Sequence, residues 1–223
     1  MALSREGVID AAIGLVDADG LAGLTMRKLG VALGVDAMAV YRFFSGKAEL
    51  LDAIVEREAA RMWAVPGTDI TDVAEYMVFT AHHYRRILLE HPNLAPLVTS
   101  RPLPAEGWAE ALVTGIAFMR ALGIAEENLA LSGTTIVRFV LGSVLREAGE
   151  TRYRAELGED LPHYEQRMVE QAAAFGRPES PEAALLRNRL DPDVPTLEFD
   201  LGVRSLIHGM IALYGRDAAA PTS

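Results

Sequence analysis

The 223-residue chain contains no cysteine, which removes disulfides, thiolate nucleophiles and thiolate metal ligation and suits a reducing compartment. No uninterrupted apolar run approaches the roughly 20 residues that cross a bilayer, and no apolar core follows a basic start. A soluble, cytoplasmic protein without a membrane partner is expected. Basic residues are outnumbered, 21 Lys and Arg against 31 Asp and Glu, for a formal net charge of −10. Taken alone, that balance argues against a nucleic-acid partner, because affinity for DNA comes largely from cations that neutralise phosphates. Strand-length alternation and internal repeats are also missing, so an all-α fold is expected. There is no glycine-rich phosphate loop, nucleophile elbow or His-x-x-x-His pair, and no convergent acid, base or metal set can be assembled. His82 and His83 are neighbours, about 100° apart on a helix, and poorly placed to share one ion. Neither an enzyme activity nor a cofactor or metal is expected.

What the chain does have is the segment from Leu24 to Leu51, LTMRKLGVALGVDAMAVYRFFSGKAELL. Its spacing predicts a helix-turn-helix followed at once by a third helix. Thr25 can cap a helix whose Leu29, Val31 and Leu33 face inward, and Gly30 is small where a second helix must pass close. Gly34 falls where the turn needs a positive φ. Val35, Val40 and Phe43 would line the inside of the next helix. Ala37, Met38, Ala39, Tyr41 and Arg42 then point outward as a reading face for the major groove. Two short helices around a glycine also occur in all-α proteins that never touch DNA. Local charge favours DNA, since between residues 20 and 50 Arg27, Lys28, Arg42 and Lys47 stand against only Asp36 and Glu49. The acid excess is concentrated between residues 150 and 200, with twelve acids against six arginines. Screening beyond about 8 Å leaves a distant acidic body little influence on the groove.

Along the rest of the chain, Ser4 opens a first helix that Asp19-Gly20 closes, and Lys47 to Trp63 form a helix linking head to body. Pro66-Gly67 ends it. Further helices are expected over 70–90, 106–122, 126–149 and 197–214, with short helical pieces at most in the Pro-punctuated stretch 91–104. Five prolines and the acid excess predict a mobile connection over 150–196 holding one or two short helices. The expected division is a head over 1–46, a body over 47–216 and a disordered tail over 217–223. Gly142 and Gly149, like Gly202 and Gly209, lie seven apart on nearly one helix face. They suit close packing either within one chain or against a second copy.

The LTMRKLG run, Tyr41-Arg42-Phe43-Phe44, and Lys47 with Leu50 and Leu51 resemble the head of the TetR family of bacterial transcription regulators. Ser100-Arg101-Pro102, Ile116-Ala117-Phe118, the run from Arg138 to Leu145 and the closing helix from Phe199 to Tyr214 resemble its tetracycline-repressor branch. The similarity is strong over the head and patchy but ordered beyond it. It implies a three-helix DNA-binding head followed by a helical ligand-sensing and dimerisation body. The helices around 126–149 and 197–214 would form a four-helix interface in a homodimer. Two reading helices would then lie one DNA turn apart, which implies a palindromic operator.

The DNA-facing set comprises Arg27, Lys28, Ala37, Met38, Ala39, Tyr41, Arg42, Phe43 and Lys47. Arg27 could meet a guanine edge, Lys28, Tyr41 and Lys47 phosphates, and Arg42 either. Ala37, Met38 and Ala39 stand where the tetracycline branch carries polar and proline residues, which implies a different operator. The implied function is a repressor released from double-stranded DNA by a small molecule. Other readings are a ligand-independent regulator or activator, or a helical carrier or enzyme.

The ligand would meet Trp63, Met77, Thr80, Tyr84, Leu97, Arg101, Gly115, Thr134 and Arg138. Thr80, Tyr84, Arg101 and Arg138 are polar groups that would need partners at inward positions. Leu97 matches the histidine that holds the drug's magnesium in the branch, Trp63 a second drug-site histidine, Thr80 an amide, and Arg146 an acidic group near the metal. Leucine cannot bind a metal, so an effector other than magnesium-tetracycline is implied. An aromatic or amphipathic molecule is expected, with Arg101 or Arg138 meeting a carboxylate or phenolate.

Overall fold

The computed structural model describes residues 3–101, 105–175 and 193–216. Helix α1 (Arg5–Gly23) starts where the Ser4 hydroxyl accepts the Gly7 N–H at 3.1 Å, and its regular course breaks at Gly20, with φ 70° and ψ 174°. Helix α2 (Met26–Leu33) is capped by Thr25, whose hydroxyl accepts the Lys28 N–H at 3.1 Å. Gly34 ends it at φ 66°, donating its N–H to the Val31 carbonyl at 3.1 Å. Asp36 caps the short α3 (Ala37–Tyr41) by accepting the Met38 N–H at 2.8 Å. At Gly30 an added Cβ would lie 3.0 Å from the Val35 carbonyl oxygen and 3.1 Å from the Ala37 nitrogen, so α2 and α3 close only over glycine.

Val8, Ile9, Val16, Leu29, Val40, Phe44, Leu50 and Ile54 make the core beneath these helices. Two expectations are corrected here. Val31 is 75% exposed, because a 3.6-residue repeat buries Met26, Leu29 and Gly30 and turns residue 31 outward. Phe44, not Phe43, fills the core: α3 ends at Tyr41, and the turn closed by the Phe44 N–H on the Val40 carbonyl at 3.3 Å leaves Phe43 half-buried.

The body continues with α4 (Lys47–Trp63), α5 (Val73–Glu90), a short tight turn of helix at Pro92–Leu94, α6 (Ala95–Ser100) and α7 (Ala105–Ala121). It ends with α8 (Leu129–Leu157), α9 (Leu161–Phe175) and α10 (Val194–Tyr214). Among the described residues there is no strand; one isolated bridge between Ile124 and Gly215 fastens the end of α10 to the α7–α8 turn. One body cluster joins Met77 and Ala81 of α5 to Met119, Ile136, Val140, Phe199 and Val203. Another joins Ala59 and Met62 of α4 to Ile87, Leu88, Ala95, Val98 and Val144.

Helix α8 passes the expected stop at Gly149, and α9 follows, so residues 150–175 are helical where a mobile connection was expected. Arg146 reaches Glu150 one turn on at 3.0 Å, no glycine or proline intervenes before Gly158, and Pro162 falls in the first turn of α9, where its missing N–H breaks no bond. The expected short helices over 176–192 and the tail over 217–223 lie outside the described residues. By length and composition alone, Glu126–Leu157 is also apolar enough to match a membrane span, although no uninterrupted run suggested one. The apolar residues divide between two faces. Leu129, Ile136, Val140 and Val144 enter the core, while Leu131, Val137 and Leu145 stay outside.

Candidate DNA-binding face and sensor body

On the outer face of α2 and α3, Arg27 and Arg42 are exposed and carry no partner among the described residues. Met38 is 70% exposed and Tyr41 is also open, while Ala37 and Ala39 are half-buried beside them. Lys28 pairs with Asp19 at 2.7 Å, an exposed contact worth at most about 1 kcal/mol, so phosphate can take its place. Lys47 is differently placed. Its ammonium donates to the carbonyls of Leu21 and Leu24 at 2.9 and 2.7 Å, closing the end of α1 beyond the Gly20 break. Its first task is to cap that break, a role hidden in the sequence because it spans more than twenty positions.

The segment 91–101 grips the head from the body side. The Asn93 amide donates to the carbonyls of Val16 and Asp17 at 3.2 and 3.0 Å, and His91 Nδ1 lies 2.7 Å from the Asp17 carboxylate. Leu97, 5% exposed, is buried with Leu94 in the head core, and Arg101 pairs with Asp52 of α4. Both were expected at the ligand; packing against α1 and α4 takes them to the head seam instead. On α4, Glu58 is 3% exposed and bonded to Arg61 at 2.7 Å, while Arg61 also reaches Glu90. The Arg61 guanidinium holds the Glu90 carboxyl below the usual carboxylate range.

The remaining ligand candidates separate. Met77 is core, Tyr84 joins the two body clusters, and Trp63 packs with it against the second. The Thr80 hydroxyl donates to the Tyr76 carbonyl at 2.9 Å, and Gly115 has open space where a Cβ would stand. Thr134 and Arg138 are exposed, which corrects their expected inward aim. The core face of α8 runs through Ser132, Ile136 and Val140, and two residues from Ile136 is the opposite side. Sequence reasoning missed Tyr76, whose ring lies 5.1 Å from Phe118 of α7. The signal was the repeat Tyr76, Thr80, Tyr84 along one face of α5. Burial pushes the Tyr84 phenol up, and Tyr76 adds to the shift.

Between α8 and α10 an open groove is lined by Leu131, Thr135, Leu206, Gly209 and Leu213. Leu131, Leu201 and Leu213 are 68%, 68% and 62% exposed. Gly142, Gly149 and Gly209 have no atom within 4 Å of an added Cβ, whereas at Gly202 that atom would sit 2.2 Å from the Phe139 ring. Gly202 therefore packs within its own chain.

The profile of bacterial regulatory proteins of the tetR family matches residues 8–54, and that of the tetracycline repressor-like C-terminal domain matches residues 66–214. The transcriptional repressor DrrR1 of Streptomyces coeruleorubidus is 25% identical over 98% of this chain and 82% of its own. The class D tetracycline repressor protein of Escherichia coli is 28% identical, over 95% of this chain and 87% of its own. In fold, the chain is similar to ActR of Streptomyces coelicolor, solved in complex with actinorhodin, with a TM-score of 0.74 and 24% identity over 98% of this chain and all of that one. Two profiles that together span head and body, over helices in the same order, place the chain in the TetR family of bacterial regulatory proteins: it is a DNA-binding transcriptional regulator and not an enzyme.

Proposed function

We propose that the protein is a homodimeric repressor that binds a palindromic operator and leaves it when a small molecule enters the body. The observation that carries this reading is the pair of uncommitted cations, Arg27 and Arg42, flanking exposed Met38 on a short helix held over a closed core. Arginine in such a place can read a guanine edge through two hydrogen bonds or hold a phosphate. Tyr41 and Lys28 add backbone contacts, and the third Lys47 N–H remains for another.

The apolar groove between α8 and α10 supports pairing with a second copy, since leucines this exposed gain about 25 cal/mol for each Å² covered. Pairing would set the spacing of the two heads, and a ligand that favours another spacing would weaken DNA binding. The names of the DrrR1 and class D relatives favour repression, and ActR bound to actinorhodin favours a small-molecule effector. Trp63 and Arg146 offer no oxygen or histidine ligand, which argues against magnesium-tetracycline. The division into a head over 1–46 and a body over 47–216 suits this function, with segment 91–101 packed on the head, and the site of action is the cytoplasm.

Selection of bound duplexes from a random pool, followed by footprinting, tests the reading. An enriched palindrome is expected; enrichment of no sequence contradicts it.

A further inference from the structure

We infer that Met38 reads the C5-methyl group of a pyrimidine within each operator half-site, and reads it by that methyl alone, so that 5-methylcytosine can stand in for thymine; this rests on the operator-binding reading above. Val40 is fully buried beneath α3, and Met38, two residues earlier, projects from the opposite side and is 70% exposed. It belongs to none of the core clusters. Ala37 and Ala39 beside it are short, so the thioether stands clear of the reading face, with Arg42 one turn further along. An unbranched, polarisable side chain so placed can lie against a methyl group in the major groove, where thymine presents one.

The stronger ways of recognising an A·T pair are missing from this segment. Bidentate recognition of adenine needs an amide side chain, and residues 24–51 contain neither Asn nor Gln. Acids that could accept from a cytosine amino group are present only as Asp36 and Glu49, and both are engaged. Asp36 accepts the Met38 N–H at 2.8 Å, and one Glu49 oxygen accepts the N–H and the hydroxyl of Ser45, each at 2.7 Å. The Thr25 hydroxyl is occupied by the Lys28 N–H, and Arg27 and Arg42 remain for guanine. At Met38, thymine then differs from cytosine by methyl against hydrogen. 5-Methylcytosine carries the same methyl. The groups that still differ, a carbonyl oxygen in thymine and an amino group in 5-methylcytosine, meet only a thioether sulfur, which is a weak acceptor. A regulator built this way responds to cytosine methylation within its operator.

The test is gel-shift titration of the full chain with the duplex enriched from the random pool. Each thymine of the half-site is replaced in turn, in both half-sites together, by deoxyuridine, which removes the methyl and nothing else. At one position the affinity is expected to fall about fourfold per half-site and about fifteenfold for the pair, the factor that burial of a methyl group carries. Cytosine and then 5-methylcytosine at that position, each opposite guanine, should show a gain of the same size on methylation. In Met38→Ala both differences should shrink below about twofold, with the unfolding midpoint unchanged because the side chain is exposed. Met38→Leu should keep them. A selected half-site without thymine, equal affinity for the thymine and deoxyuridine duplexes at every position, a methyl effect that survives in Met38→Ala, or no gain from 5-methylcytosine overturns the inference. Each of these outcomes leaves the operator reading standing; a pool that yields no palindrome removes both.

Discussion

The same substitution, Gly→Ala, should have opposite effects at two helical glycines of the head. Gly14 on α1 is exposed, with nothing within 4 Å of an added Cβ. Alanine there restricts the unfolded chain and should stabilise by about 0.5–1 kcal/mol. Gly30 gains the same propensity term, but its Cβ would lie 3.0, 3.1 and 3.2 Å from backbone atoms of Val35 and Ala37. Backbone cannot swing aside as a side-chain end can, so α3 must move away by a few tenths of an ångström. Overpacking of this kind costs about 1–3 kcal/mol, which leaves a net loss of about 0.5–2 kcal/mol after the propensity gain. At about 2–4 °C per kcal/mol for a chain of this size, Gly30→Ala should lower the unfolding midpoint by a few degrees and Gly14→Ala should raise it. Circular dichroism melts of both variants at equal protein concentration measure this. A midpoint raised by Gly30→Ala as much as by Gly14→Ala would refute the close approach of α2 and α3.

Other perturbations follow from the same geometry. Lys47→Ala removes the cap on the Leu21 and Leu24 carbonyls and should cost about 1–3 kcal/mol in denaturant titration. Lys28→Ala should change stability by less than about 0.5 kcal/mol while flattening the salt dependence of DNA binding, because its pair with Asp19 is exposed. Leu97→Ala should destabilise by about 2–5 kcal/mol in denaturant titration, since Leu97 lies in the head core. His82 and Arg204 hold the Asp200 carboxyl below its ordinary value. That contribution is complete above the unfolded value near 3.9 and is lost as pH falls through the folded one. Asp200→Asn should therefore lower the unfolding midpoint at pH 7, by an amount that shrinks below about pH 4.

The head was legible where local rules decide. Thr25 caps because its hydroxyl reaches an N–H three residues on, and Gly34 turns because αL geometry excludes most other residues; the Asp36 cap of α3 follows the same local rule but was not anticipated. Val31 and Phe43 were misplaced for a different reason: alternation at 29, 31 and 33 belongs to a strand period, and the turn after Tyr41 shifts the inward position by one residue. In the body, helices α4, α5, α7 and α10 lie close to their expected spans. The prolines after residue 150 misled because two of them, Pro162 and Pro195, fall in the first turns of helices. The candidate ligand set needed tertiary information. Thr134 and Arg138 sit on a helix as expected, Leu97 falls on the short α6 and Arg101 just past its end, yet the rotation of α6 and α8 about their axes comes from long-range packing against α1, α4 and α10.

The central claim is that two copies of the face bearing Arg27 and Arg42 read one operator. It is tested most directly by the affinity of the full chain for the selected duplex, compared with the same duplex with one half-site scrambled. Half-sites centred about 10 base pairs apart, two chains per duplex and a loss of about a hundredfold or more on scrambling are predicted. Equal affinity for the intact and scrambled duplexes would contradict the account.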